Sequence, residues 1–141
     1  MELSKSLWLC QRARPLGDDH AFGPQYLAVV PDENCLVVLF PIGPSRSGRS
    51  FIHGYALRYE GISTYEIRIL HLKLVGASWQ TALLFEDADY LHWFEPRDGK
   101  SFNMFASKVP WSFLEAEYLE SFHRLLSGAR SLRLNRSDKG G

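Results

Sequence analysis

The chain is poor in the residues that most directly declare a chemistry. It holds two cysteines in 141 residues. Cys10 and Cys35 each lie in an apolar stretch, and neither has a nearby Cys or His at the spacing a zinc site needs. They read as two buried free thiols. No apolar run approaches the roughly 18 residues of a membrane span. Met1 to Cys10 lacks the sustained apolar core of a signal peptide, so a cytoplasmic location is expected. Charge of one sign is not in excess: 16 basic residues meet 16 acidic ones. A dedicated nucleic-acid binder carries a basic surplus, so nucleic acid ranks last among the expected partners. No G-x-S-x-G elbow and no D-x-D-x-D-G calcium loop occurs. The expectation is a non-enzyme with no metal and no cofactor.

Aromatic and apolar residues are plentiful, at 13% and 45%. A disordered chain would be poor in both. The length suits one domain that buries roughly two thirds of its unfolded surface. Residues 1–128 read as that domain. Residues 129–141, with Arg130, Arg133, Arg136 and Lys139 against Asp138, read as a flexible basic tail.

Most of the chain carries strand patterns. Leu7–Cys10 fits a short strand, and 11–24 a polar, turn-rich loop. Tyr26–Val30 and Cys35–Phe40 form a hairpin about Pro31-Asp32-Glu33-Asn34, apolar on both faces and so expected near the middle of the sheet. Tyr55–Glu60 and Thr64–Ile69 alternate about Gly61-Ile62-Ser63. The pattern pairs Tyr59 with Tyr65, Leu57 with Ile67, Tyr55 with Ile69 and Arg58 with Glu66. The apolar phase slips after Ile69 to Leu70, Leu72 and Leu74, which predicts a β-bulge. Trp79–Phe85 is a further strand. Tyr90–Glu95 and Phe102–Ala106 flank a turn that contains Asp98-Gly99.

The period then changes. Trp111, Leu114, Tyr118, Phe122, Leu125 and Leu126 follow helical spacing. Ser112 and Glu115 have the spacing of a capping box, and Gly128 that of a C-cap. The reading is an α+β, mainly antiparallel β domain. About six or seven strands make a partly open barrel or sandwich, capped by one C-terminal amphipathic helix at about 112–127.

The sharpest motif is Gly43-Pro44-Ser45-Arg46-Ser47-Gly48-Arg49-Ser50, which has the outline of a phosphate-binding loop. Arg49 stands where such a loop has lysine, and the residues after it read as a strand rather than a helix. Nucleotide hydrolysis is therefore not expected. Arg46, Gly48, Arg49 and Ser50 remain the candidate ligand-binding residues, for a phosphate group, a carboxylate or an anionic lipid headgroup. Glu86, Asp87 and Asp89 read as a polar turn. His92, alternating with Tyr90 and Phe94, reads as a hydrogen-bonded core histidine. Tyr55, Arg58, Tyr59 and Arg68 are of the type that stacks on single-stranded nucleic acid, but the tyrosines share a face with Leu57 and Ile67 and read as core.

Trp79, Leu83-Leu84, Glu86, Asp89-Tyr90-Leu91, Lys108-Val109-Pro110, Phe122 and Leu125-Leu126 resemble the end of pleckstrin-homology-like domains of the bacterial membrane-linked kind. Those run from a tryptophan through an acidic turn and an aromatic strand to a closing helix. The resemblance covers residues 79–126. It implies the superfold and a role without catalysis, and it carries over no binding residues.

These readings converge on a binding or adaptor module for a protein partner, engaged through a sheet edge, an exposed helix face or the 41–50 loop. A small bacterial immunity or inhibitor protein that neutralises a toxin or enzyme is the alternative. An enzyme that uses the 43–50 loop for phosphate is the third.

Overall fold

A computed structural model of the chain describes residues 3–14, 24–44, 50–72, 76–97 and 100–139. Eight strands run in sequence order: β1 Ser6–Arg14, β2 Gln25–Val30, β3 Cys35–Pro44, β4 Ser50–Gly61, β5 Glu66–Leu72, β6 Ala77–Asp87, β7 Tyr90–Arg97 and β8 Lys100–Val109. Each pairs antiparallel with its neighbours, and β1 pairs with β8 to close a barrel. The expected six or seven strands in a partly open barrel are thus corrected to eight in a closed one. The closing strand is β1. It continues past Cys10 to Arg14, through residues that read as loop, after a register shift between Cys10 and Arg12 on β8. That shift is the bulge that lets a strand bend around a barrel.

One side of each strand fills the interior. Trp8, Leu27, Val29, Leu36, Val38, Leu57, Ile67, Ile69, Leu84, Leu91 and Trp93 form this core. The outward residues of β2 and β3 are buried as well: Tyr26, Ala28, Val30, Cys35, Val37 and Leu39 lie under the helix α1, Ala116–Lys139. That is why the hairpin is apolar on both faces. Leu114, Tyr118, Phe122, Leu126 and Ala129 supply the covering stripe, at the spacing read from the sequence. Each large side chain so buried contributes about 1.5–3 kcal/mol. The helix therefore lies along the side of the barrel, against β3 and β4, rather than over an open end.

The helix boundaries also differ from expectation. Pro110 starts a 3-10 turn, Trp111–Phe113, so Ser112 does not cap α1. The carbonyl of Glu115 accepts the N–H of Leu119 at 2.9 Å instead. Gly128 sits inside α1, which continues to Lys139. Arg130 donates through Nε to both carboxylate oxygens of Glu33 at 2.7 Å, tying the helix to the β2–β3 turn.

The β4–β5 register is corrected too. Tyr59 stands opposite Ile69 and Glu60 opposite Arg68, four residues from the expected alignment. The turn is longer: the N–H groups of Ile62 and Ser63 both donate to the carbonyl of Glu66. An even slip keeps Leu57, Tyr59, Ile67 and Ile69 facing inward, and it moves Tyr65 out of the strand onto the surface. Both ladders of β5 run without a register shift, so no bulge forms at Ile69-Leu70.

Candidate functional site

Arg46, Gly48 and Arg49 lie outside the described residues, as do Asp98 and Gly99. Ser50 opens β4 opposite Pro44. β3 therefore ends, and β4 begins, at the end of the barrel where β1, β5 and β7 also end. Towards that end the inner wall turns polar. His71 Nε2 contacts the carboxylate of Glu95, which is fully buried. Gln80 Nε2 donates to Ser78 Oγ at 3.3 Å. The rings of His53 and Tyr55 pack edge-on against Phe40. Nearby, Cys10 donates to Met104 Sδ at 3.1 Å, and burial pushes its thiol up to about 12. A thiolate nucleophile at Cys10 is therefore absent at neutral pH.

The nucleic-acid patch considered from sequence is not assembled. Tyr59 faces the barrel core, whereas the guanidinium of Arg68 lies on the outer surface, 4.5 Å from the Trp79 ring centroid and 2.8 Å from Glu60. Among the described residues no three His, Cys, Asp or Glu side chains come together as a metal would require.

A different surface stands out, on the outer faces of β6, β7 and β8. On β7 the inward residues are Leu91, Trp93 and Glu95, so Tyr90, His92 and Phe94 point outward. The core reading of His92 is thereby corrected. Both faces of this strand carry aromatics, and alternation alone did not show which was inner. His92 stacks on Phe85 across the ladder, with ring centroids 4.8 Å apart and planes 9° from parallel, and it meets the edge of Phe105 at 4.9 Å. Tyr90 stacks on Phe105 at 5.0 Å, and Tyr65 packs against Phe85 at 5.5 Å.

The five rings form one continuous row. Offset and edge-on pairs of this kind are worth about 0.5–1.5 kcal/mol each beyond the area they bury. Seven large hydrophobic residues are exposed among the described residues, and four lie here: Tyr65 at 58%, and Leu83, Tyr90 and Phe94 at 42% each. Beside them is a concavity of about 890 Å³ lined by Gln11, Phe85, His92, Trp93, Phe94, Asn103, Met104 and Phe105. Gln11 reaches it from the bulged part of β1 and donates to Ser107 Oγ at 2.9 Å. Paired rings beside two carboxamides make a surface suited to apolar and backbone contacts.

Comparison of the chain with protein-family models, with curated proteins and with solved structures returns no match. No helix among the described residues is long and apolar enough to cross a membrane.

Proposed function

We propose that the protein is a non-catalytic binding module whose partner protein docks on the aromatic outer face of β6–β8. One observation carries this: Tyr65, Leu83, Tyr90 and Phe94 gather their exposed surface on one side of the barrel, around a concavity, while the opposite side is sealed by α1. Grouped exposed apolar surface of this kind marks interaction sites in soluble proteins. Aromatic anchors of this type also dominate interface energetics. β1 pairs with β8 to close the barrel, and this face rather than a sheet edge is the proposed route to the partner. The free thiols of Cys10 and Cys35 agree with a reducing compartment. The pleckstrin-homology-like resemblance enters the proposal only as precedent for a small barrel with one helix serving as a scaffold. A toxin or enzyme held inactive by surface complementarity is one kind of partner that such a face serves.

The test is site-specific photocrosslinking in the source cell, with benzoylphenylalanine placed at position 94 or at 119. Leu119 is exposed on the helix to a similar degree, 41%. The proposal expects a discrete protein adduct from position 94 and none from 119, with the partner named by mass spectrometry. An adduct from 119 alone would move the interface to the helix and end this reading.

A further inference from the structure

The docking face has an acidic rim that no side chain among the described residues neutralises. Asp87 ends β6 directly opposite Tyr90, and Asp89 lies in the same turn. Glu66 opens β5 opposite Leu83. These three carboxylates have no cationic partner among the described residues. Other acids differ: Glu60 on β4 is held by Arg68, and Glu33, on the side covered by α1, by Arg130. Two described cations on the flanking strands make other contacts. Arg68 lies over Trp79. Lys108 gives its backbone N–H to the carbonyl of Asp89 at 2.8 Å, but its ammonium sits 5.8 Å from the centre of the Trp8 ring. Among the described residues, the β6–β7 end of the aromatic surface thus carries unpaired acids.

Resting on the docking-face reading above, we infer that the segment bound here carries arginine or lysine beside an aromatic or branched apolar side chain. The apolar side chain enters the concavity between Phe94 and Phe105. The carboxamides of Gln11 and Asn103 are placed to bond the segment's backbone. The cation sits at the rim, where it meets Asp87 and Asp89 and the face of Tyr90. Aromatic rings attract cations through their negative faces, so the rim and the rings favour the same residue types. An acidic segment would meet three unpaired carboxylates and be rejected, which is how charge gives specificity at an interface.

The probe is a random-peptide display library panned on the full chain, with the best peptide then titrated against isotopically labelled protein by NMR. The expected winners pair a basic residue with an aromatic or branched apolar one. Their shifts centre on residues 83–94 and 103–107. Asp87→Asn with Asp89→Asn weakens them about fivefold, the scale of two exposed charge contacts. Phe94→Ser abolishes them. Enriched peptides without a basic residue, no enrichment at all, or unchanged affinity in the double Asn variant would each overturn the inference. A face occupied by a second copy of the chain, seen as self-association lost in Phe94→Ser, would overturn it too. The adduct from position 94 decides separately whether the docking face itself stands, so failure of the charge inference is distinguishable from failure of the docking face.

Discussion

His71 on β5 reaches across β6, inside the barrel, to the fully buried carboxylate of Glu95 on β7. On β6 between them, His71 stands opposite Ser78, and the next residue on the same inner face is Gln80, which donates to Ser78 Oγ. A buried carboxylate is costly unless paired or hydrogen-bonded. Substituting His71→Ala takes one partner from Glu95 and is expected to cost about 1–3 kcal/mol. His71→Ala together with Glu95→Gln is expected to cost less than the sum of the two single changes. Urea unfolding of the four proteins measures the coupling, and additive effects would mean that the contact contributes nothing.

Two glycines should respond with opposite sign. A Cβ at Gly54 would stand 2.0 Å from the carbonyl oxygen of Val38 and 3.2 Å from Leu125 Cδ1. The strand there lies tight under the helix, and Gly54→Ala is expected to destabilise by about 2 kcal/mol or more, as overpacking does. At Gly128, inside α1, a Cβ meets nothing within 4 Å. Gly128→Ala is expected to stabilise by about 0.5–1 kcal/mol through helix propensity. Thermal midpoints of the two variants check both signs.

Stability should fall in alkali. Burial, and then the charges of Tyr26, Glu115 and Glu117, push the phenol of Tyr118 up to about 12. Burial, and then Cys35, does the same at Tyr59. The unfolded chain ionises these groups near 10. The folded state holds its protons longer, so this contribution is intact below pH 10 and is lost as pH rises from 10 towards 12. Denaturation followed against pH, with tyrosinate absorbance alongside, should show these phenols ionising only as the barrel opens. Stability that stays level from pH 10 to 12 would contradict the assignment.

Cys10 should resist modification. Its thiol, held near 12 by burial, supplies little thiolate at pH 8. Ellman's reagent is expected to react fully only after denaturant is added. Rapid reaction of the native protein would show that Cys10 is reachable.

The elements that local pattern specifies were legible in the sequence. The stripe Leu114, Tyr118, Phe122 and Leu126 marks one buried face of a helix, and the doubly apolar β2–β3 hairpin announces a strand pair covered on both sides. The register of β4 on β5 was not legible, because a slip of four residues leaves every side chain on its own face. What distinguishes the two alignments is the pairing of Glu60 with Arg68 and a turn long enough to leave Tyr65 outside. Barrel closure was hidden because Gln11–Arg14 is polar, and its hydrogen bonds go to a strand about 90 residues away. The docking face was obscured by its own composition: Tyr90, His92 and Phe94 look like core beside Leu91 and Trp93. The signal that separates them is cross-strand, since the outward rows meet Asp87, Ser107 and Asn103, whereas the inward row ends on a histidine-bound carboxylate.

The central claim concerns those outward rings, and it is tested most directly by adduct yield and thermal midpoint measured on the same variants. Tyr90→Ser and Phe105→Ser are compared with Leu119→Ser, each carrying the photocrosslinker at position 94. The account predicts that the first two lose most of the adduct while the barrel stays folded at the assay temperature, and that Leu119→Ser keeps it. Undiminished adduct in Tyr90→Ser and Phe105→Ser would contradict a docking role for the aromatic face.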